Sequence, residues 1–371
     1  MNCMNKPVKV LFVNGNIMKR GGIESFMMNY FRHIDHSKVH IDFLVHGFEQ
    51  GIYDDEIIAA GSKVLHVPTK SKHPILYPKE LKKIFLTREY QIVHSHCDAM
   101  NGWILKIAAE CGVAVRIAHS HNTATLSNNI IKLAINDYVK GLIPKYATHL
   151  FACSEAAGKW MFGENLEFKV INNAIEVEKY MFDPSVREKV RGELNLHDDF
   201  VIGHVGRFDY QKNHEFLVRI IQYLNNVGKK DVKLICVGEG PLIDDIKKIV
   251  DNAGLEDRVL FLGSRSDVDL LYNAFDVFVL PSKFEGLPVV GIEAQCNGLQ
   301  CFFADTVTDK VKILKETKLL PLDIDSWGTE LSTDIPTRYL NAEEQIVKSG
   351  YDISVEAKKL QMFYIDVGLR R

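Results

Sequence analysis

Two glutamates with seven residues between them, Glu285 and Glu293, stand in the run Phe284-Glu285-Gly286-Leu287-Pro288-Val289-Val290-Gly291-Ile292-Glu293-Ala294. The run follows the apolar stretch Val277–Leu280 and Pro281-Ser282. That order predicts a strand, a loop, and a helix with Pro288 in its first turn. Glu285 then lies in the loop at the strand's carboxyl end, and Glu293 about two turns into the helix. Gly286 permits close backbone approach to a ligand. The unpaired amides of a first helical turn attract an anion such as phosphate. The helix dipole alone also accounts for an early acidic residue, so Glu285 by itself leaves site and helix start equally open.

A second run, Val205-Gly206-Arg207-Phe208-Asp209-Tyr210-Gln211-Lys212-Asn213, follows the strand candidate Phe200–Gly206. Arg207 and Lys212 fall in its strand-to-helix loop. A guanidinium offers a rigid fork of donors and an ammonium a mobile point charge, a combination suited to a diphosphate. Either cation alone reads as solvated surface; their shared strand-end position favours a site. Gly21-Gly22-Ile23-Glu24 follows the first strand candidate and opens the first helix. Its spacing is not G-x-G-x-x-G, so the dinucleotide fingerprint is absent.

His94-Ser95-His96 and His119-Ser120-His121-Asn122-Thr123 close the fourth and fifth strand candidates. Four histidines invite a metal. No cysteine or carboxylate cluster joins them apart from Asp98, which falls short of a zinc ligand set. A histidine that contacts sugar or phosphate is the better reading, with His94 and His119 as satisfied structural histidines. Of two Asp-x-Asp pairs, Asp267-Val268-Asp269 reads as helix capping and Asp323-Ile324-Asp325 as part of a loop. Both are taken as structural.

These residues need elements to hold them. Short β-branched runs alternate with amphipathic segments through residues 1–175, and the alternation restarts at Phe200. This predicts two α/β units, each a doubly wound parallel sheet, and two such units facing each other would enclose a cleft. The domain boundaries are placed at 1–175, with a C-terminal helix 352–371, and 176–351. A linker is expected near 174–184. The 371 residues are 46% hydrophobic and 25% charged, with net charge −3, which excludes a disordered chain and a nucleic-acid-binding polycation. The charge divides as +5 over 1–175 and −8 over 176–371. Seven cysteines without a CxxC pair read as buried thiols of a reducing compartment. No secretory signal and no run of about 18 apolar residues appears, so a cytoplasmic protein is expected, at most resting on the inner face of the cell membrane.

The Glu285–Glu293 segment, with Gly206-Arg207…Lys212 before it and Gly21-Gly22-Ile23-Glu24 at the N-terminus, resembles the retaining glycosyltransferases of family 4. The likeness continues through Phe151-Ala152-Cys153-Ser154, Val170-Ile171-Asn172-Asn173, Val237-Gly238-Glu239-Gly240-Pro241-Leu242 and Phe261-Leu262-Gly263-Ser264-Arg265. The segment Arg116–Thr123 and the Trp327 region are most similar to bacterial capsular and exopolysaccharide enzymes. The resemblance implies the GT-B fold, with two facing Rossmann-like domains and a C-terminal helix crossing back to the first. It implies transfer of a hexose or N-acetylhexosamine from a nucleotide-diphosphate sugar, UDP before GDP, with no metal and no further cofactor. Glu293 would bind the ribose hydroxyls and Glu285 the donor sugar. Gly206, Gly286, Leu287 and Pro288 would line the sugar and phosphates, and Arg207 and Lys212 would neutralise the diphosphate. Ser264 and Arg265 would lie near the base, and His121 at the sugar's C6 hydroxyl. Gly21 and Gly22 would close over the diphosphate from the other domain. One departure is Gln300, where family members often carry proline.

The acceptor, a glycan or polyprenyl-linked saccharide, is assigned to the first half. Its lysines at 70–83 and the apolar stretch 129–146 form a candidate face for anionic membrane, or equally a solvated lysine face. Two other functions share the architecture: a sugar-nucleotide 2-epimerase, and a non-catalytic nucleotide-sugar-binding protein.

Overall fold

The computed structural model describes residues 6–87, 89–122, 130–229, 231–333 and 338–369, without the side chains of 130–132. Cys3, Thr123 and Asn129 lie outside the described residues, as does the side chain of Lys132. The chain divides into two compact units, Met1–Ala174 with Ile353–Arg371, and Ile175–Asp352.

Among the described residues the first unit holds seven parallel strands: β1 Val8–Asn14, β2 Val39–His46, β3 Val64–Val67, β4 Ile92–His96, β5 Val115–Ser120, β6 His149–Ala152 and β7 Lys169–Val170. Their order is β3-β2-β1-β4-β5-β6-β7. The second holds six: β8 Phe200–Val205, β9 Val232–Val237, β10 Val259–Phe261, β11 Val277–Leu280, β12 Gln300–Ala304 and β13 Lys318–Leu320. These run β10-β9-β8-β11-β12-β13, also in parallel. Strand order therefore reverses between β1 and β4, and between β8 and β11.

Residue alternation explains the sheets. In β1, Val8, Val10 and Phe12 enter one core while Leu11 and Val13 enter the core on the other face. In β11, Phe278 and Leu280 face one core and Val277 and Val279 the other. A strand buried on both faces needs apolar residues at every position, which is why these strands read as unbroken β-branched runs. Each fully buried side chain of this kind contributes roughly 1.5–3 kcal/mol. The C-terminal helix Ile353–Leu369 buries Ala357, Leu360 and Tyr364 in the core shared with β1 and the helix Gly22–His33.

The chain passes from the first unit to the second at Ala174–Ile175, the start of the stretch expected as a linker, but the rest of that stretch is folded into the second unit. Ile175 and Val177 are buried in the second unit's core, and Val177–Tyr180 and Pro184–Glu193 are helices. Asp183 caps the latter, accepting from Ser185 N at 2.8 Å and Val186 N at 3.4 Å, with Pro184 at the first helical position. Arg187 and Arg191 then bind the Asp276 carboxylate beside β11, at 2.5 and 3.3 Å. Polar composition here marks a surface helix, not a flexible joint.

Asp323 corrects another expectation. It caps the helix Ile324–Leu331, with its carboxylate 2.8 Å from both Ser326 N and Ser326 Oγ. Asp323→Ala is expected to lower the urea midpoint of unfolding, through loss of the cap. Catalytic turnover should be unchanged.

Candidate active site

Open parallel sheets bind ligands beyond the carboxyl ends of their strands, where strand order reverses. In the second unit those ends belong to β8 and β11. The two loops leaving them are tied together. Lys283 N donates to Gln211 O at 2.8 Å, Gln211 Nε2 to Phe284 O at 3.0 Å, and Asn213 Nδ2 to Pro281 O at 3.1 Å. Asn213 adopts φ +59°, a left-handed conformation that asparagine tolerates.

The Glu285 carboxylate receives Ser282 Oγ at 3.1 Å and is ion-paired with Lys212 Nζ. Lys212 and Glu285 side chains are only 16% and 11% exposed, so neither charge stands free in solvent. Arg207 is different. It is exposed, and its guanidinium has no partner among the described residues. Gly206 lies beneath this group: a Cβ there would stand 3.1 Å from Lys212 Cδ. Gly238, at φ +140°, would place a Cβ 2.1 Å from Gly206 O, so no other residue fits against that turn.

The helix expected after Gly286 spans Val289–Cys296, and Pro288 is its N-cap rather than a member of its first turn. A Cβ on Gly286 would meet nothing within 4 Å, so protein packing does not demand glycine there. Leu287 and Pro288 are buried. Glu293, further along the helix, is clasped by two phenols: Tyr180 OH donates to Oε1 at 3.1 Å and Tyr272 OH to Oε2 at 2.9 Å. Burial raises the Glu293 carboxyl above the ordinary glutamate value, and the two phenolic bonds only partly offset this.

Ser264 and Arg265 follow β10 and are exposed. Arg265 forks onto both oxygens of Asp267 at 2.8 and 2.6 Å. Asp267 occupies the N-cap position of the helix Val268–Ala274 but makes no side-chain capping bond among the described residues. The capping expectation fails for that residue.

In the first unit, Gly21 caps the helix Gly22–His33 in extended backbone, and its Cβ would meet Glu24 Oε2 at 2.4 Å. Gly22 has open space. Asn14 Nδ2 holds the buried Glu24 at 3.1 Å. His121 Nε2 lies 2.9 Å from His96 Nδ1. His94 bonds through both ring nitrogens, as expected of a satisfied structural histidine, but His119 does not: its Nε2 is buried without a partner. The structure thus gathers Gly206, Lys212 and Glu285 into one cluster with Arg207 on the same loop. Glu293 and Arg265 have other partners, and Gly21, Gly22 and His121 belong to the first unit.

Residues 186–318 match the glycosyl transferases group 1 family. A putative glycosyltransferase EpsF of Bacillus subtilis is 36% identical over 302 residues, covering 79% of this chain and 78% of that protein. The chain is a group 1 glycosyltransferase. An Escherichia coli UDP-Gal:alpha-D-GlcNAc-diphosphoundecaprenol alpha-1,3-galactosyltransferase is 29% identical over 309 residues, 77% of this chain and 78% of its own. The GT-B fold is shared with Anabaena HepE, solved with UDP, at TM-score 0.72 and 20% identity over 97% of this chain and 96% of that one. A capsular polysaccharide biosynthesis glycosyltransferase CapH of Staphylococcus aureus is 26% identical over 299 residues, 77% of this chain and 78% of its own, so the glycosyltransferase is related to enzymes of bacterial polysaccharide synthesis.

Several residues of the candidate site were not picked out by motif. Ser282 and Thr306 build the Glu285 loop, Thr306 Oγ1 donating to Ser282 O at 2.6 Å. Gln211 and Asn213 lock the two loops, and Tyr180 and Tyr272 hold Glu293. Ser282 carried a readable signal, a hydroxyl three residues before a loop carboxylate. Tyr180 carried none, since its partner lies 113 residues away. Gln300, in place of the common proline, donates from Nε2 to Glu316 O at 2.7 Å and so anchors β12 instead of disturbing it.

Proposed function

We propose that this enzyme transfers a hexose or N-acetylhexosamine from a nucleotide-diphosphate sugar, UDP-linked before GDP-linked, to a glycan or polyprenyl-linked acceptor of bacterial surface polysaccharide. Transfer proceeds with retention and without a metal ion. The observation that carries this is the switch-point cluster: a free guanidinium, an ammonium fixed by Glu285, and the start of a helix. Bond cleavage leaves an oxocarbenium-like sugar and gathers negative charge on the departing diphosphate. Arg207, Lys212 and the first-turn amides stabilise that charge where it develops. An ammonium has three donors, so Lys212 can keep Glu285 and still reach phosphate. A carboxylate has about four acceptor positions. The tyrosines take two from Glu293 and leave two for vicinal ribose hydroxyls. Ser264 and Arg265 flank the base. Retention rests on the family resemblance, and the choice of UDP on the relatives named above.

A thermal-shift panel of UDP- and GDP-sugars in EDTA tests this. Stabilisation follows RT ln(1 + [L]/Kd), about 2.7 kcal/mol at 100 Kd. The true donor should stand out without metal. A panel with no responder sinks the proposal.

Membrane contact is part of the same proposal, in a narrower form than composition gave. Lys82 is paired with Glu110 at 3.2 Å and Lys83 with Glu80 at 2.6 Å, while Lys70 lies over the Trp103 ring. The remaining face is Lys72 and Lys79 beside exposed Ile75 and Leu76. Ile135 and Tyr138 are exposed on the helix Ile130–Lys140. Among the described residues no helix is long and apolar enough to cross a membrane. Sedimentation with anionic liposomes should exceed that with neutral ones and fall with salt. Equal sedimentation with both would remove the membrane from the proposal.

A further inference from the structure

The four histidines of β4 and β5 form two hydrogen-bonded pairs, one above the other. His94 Nε2 lies 3.1 Å from His119 Nδ1, and His96 Nδ1 lies 2.9 Å from His121 Nε2. The His94 and His119 rings are 7° from parallel, and those of His119 and His121 are 20° apart. Phe26 sets its ring against His119 and His121, with centroids 4.9 and 5.1 Å away. Tyr364 OH closes the lower pair, 2.6 Å from His94 Nδ1. Burial pushes all four imidazoles down, His121 to about 3, so each is neutral near pH 7.

A neutral imidazole has one N–H and one bare nitrogen. Among the described residues, two ring nitrogens of this set are buried with no partner, Nε2 of His96 and Nε2 of His119. Orphaned buried N–H groups are the rarer and costlier case, so each of these nitrogens is bare. The proton of His96 then sits on Nδ1 and is donated to His121 Nε2. By the same rule His119 donates from Nδ1 to His94 Nε2, leaving His94 Nδ1–H for the Tyr364 oxygen. In the lower pair this leaves the buried Tyr364 O–H without an acceptor among the described residues, so the upper pair alone carries the assignment. The ring nitrogens of His94, His96 and His119 lie within 4.8 Å of one another. Both nitrogens of His94 are already bonded, however, so hydrogen bonding rather than metal ligation accounts for the packing.

We infer that His96 is a positioning residue that fixes His121 as its Nδ1–H tautomer, so that His121 offers substrate a hydrogen-bond donor and no proton acceptor. The substrate group it meets is an oxygen, of a sugar hydroxyl or a phosphate. The main chain of His121 is fixed as well: Asp98 Oδ1 accepts from its N at 3.2 Å, and Cys153 Sγ donates to its O at 3.5 Å. Nδ1 is the ring nitrogen left over, with no partner among the described residues and no place among the buried orphans. That the oxygen belongs to the donor nucleotide sugar rests on the function proposed above.

The test is a long-range ¹H–¹⁵N correlation spectrum of ¹⁵N-histidine-labelled wild-type enzyme, with His121 assigned by the signals missing from His121→Gln. Nδ1 of His121 should carry the proton at pH 7. A proton on Nε2, or an imidazolium, overturns the inference. His96→Asn keeps an N–H near the Nδ1 position, whereas His96→Leu does not. The leucine variant should lose about tenfold in kcat/KM and the asparagine variant much less, at matched Tm. Equal losses in both would also overturn it. If the tautomer is as inferred but His121 signals ignore a saturating UDP-sugar, the positioning stands and only the contact with donor falls.

Discussion

Replacing Lys212 with alanine is expected to lower kcat about 100- to 1,000-fold, the effect of removing one donor aimed at a developing oxyanion. The donor Kd should change far less, because Arg207 and the helix amides still hold the ground-state diphosphate. The ion pair with Glu285 makes this sharper than a loss-of-charge argument. Lys212→Met leaves the largely buried Glu285 carboxylate with only Ser282 as a side-chain partner, so stability should fall as well. Adding Glu285→Gln to Lys212→Met removes that stranded charge. The double variant should recover Tm but not turnover. Recovery of both would show that Lys212 merely holds the loop, and a Lys212→Ala enzyme with unchanged turnover would remove it from the chemistry.

Glu293→Gln is expected to weaken donor binding about 10- to 100-fold, since hydrogen bonds to a charged acceptor are worth about 1–2 kcal/mol more than neutral ones. Stability should move the other way. The folded state raises the Glu293 carboxyl, so it holds a proton at pH values where the unfolded chain has released one. The ionised form therefore costs the native state stability. That cost grows as pH rises from the ordinary carboxylate range and is complete above the raised value. The neutral amide of Glu293→Gln carries no such cost. The Tm of this variant should equal or exceed the wild-type value at pH 7.5, and the advantage should vanish near pH 4. A variant less stable than wild type at pH 7.5 and no weaker in donor affinity contradicts both halves.

Much of this was legible in the sequence because the site hangs on strand ends. Buried parallel strands announce themselves as apolar runs, and Arg207, Lys212 and Glu285 lie within a few residues of two of them. What was not legible depends on distance along the chain or on competing uses of one residue type. Tyr180 and Tyr272 meet Glu293 across 113 and 21 residues, and no local pattern encodes that. Asp-Pro at 183–184 served as a cap and first turn, where composition alone read a joint. The short β13 carries only Lys318–Leu320, too little alternation to be noticed. Asp267 shows the reverse error: a good capping residue in the right place, paired with Arg265 instead. The net charge of −8 over 176–371 also gave no hint of the anion grip proposed for the second unit. Local donors at a strand end decide that, not the regional sum.

On the function proposed above, the β8 and β11 loops grip a nucleotide diphosphate without metal. Calorimetric titration of UDP into the enzyme in EDTA tests it most directly, beside an Arg207→Ala/Lys212→Ala double variant of matched Tm. Saturable binding to the wild type, weakened at least 100-fold in the double variant, is the predicted result. Equal affinity in both proteins, or binding that appears only when a divalent cation is added, would contradict it.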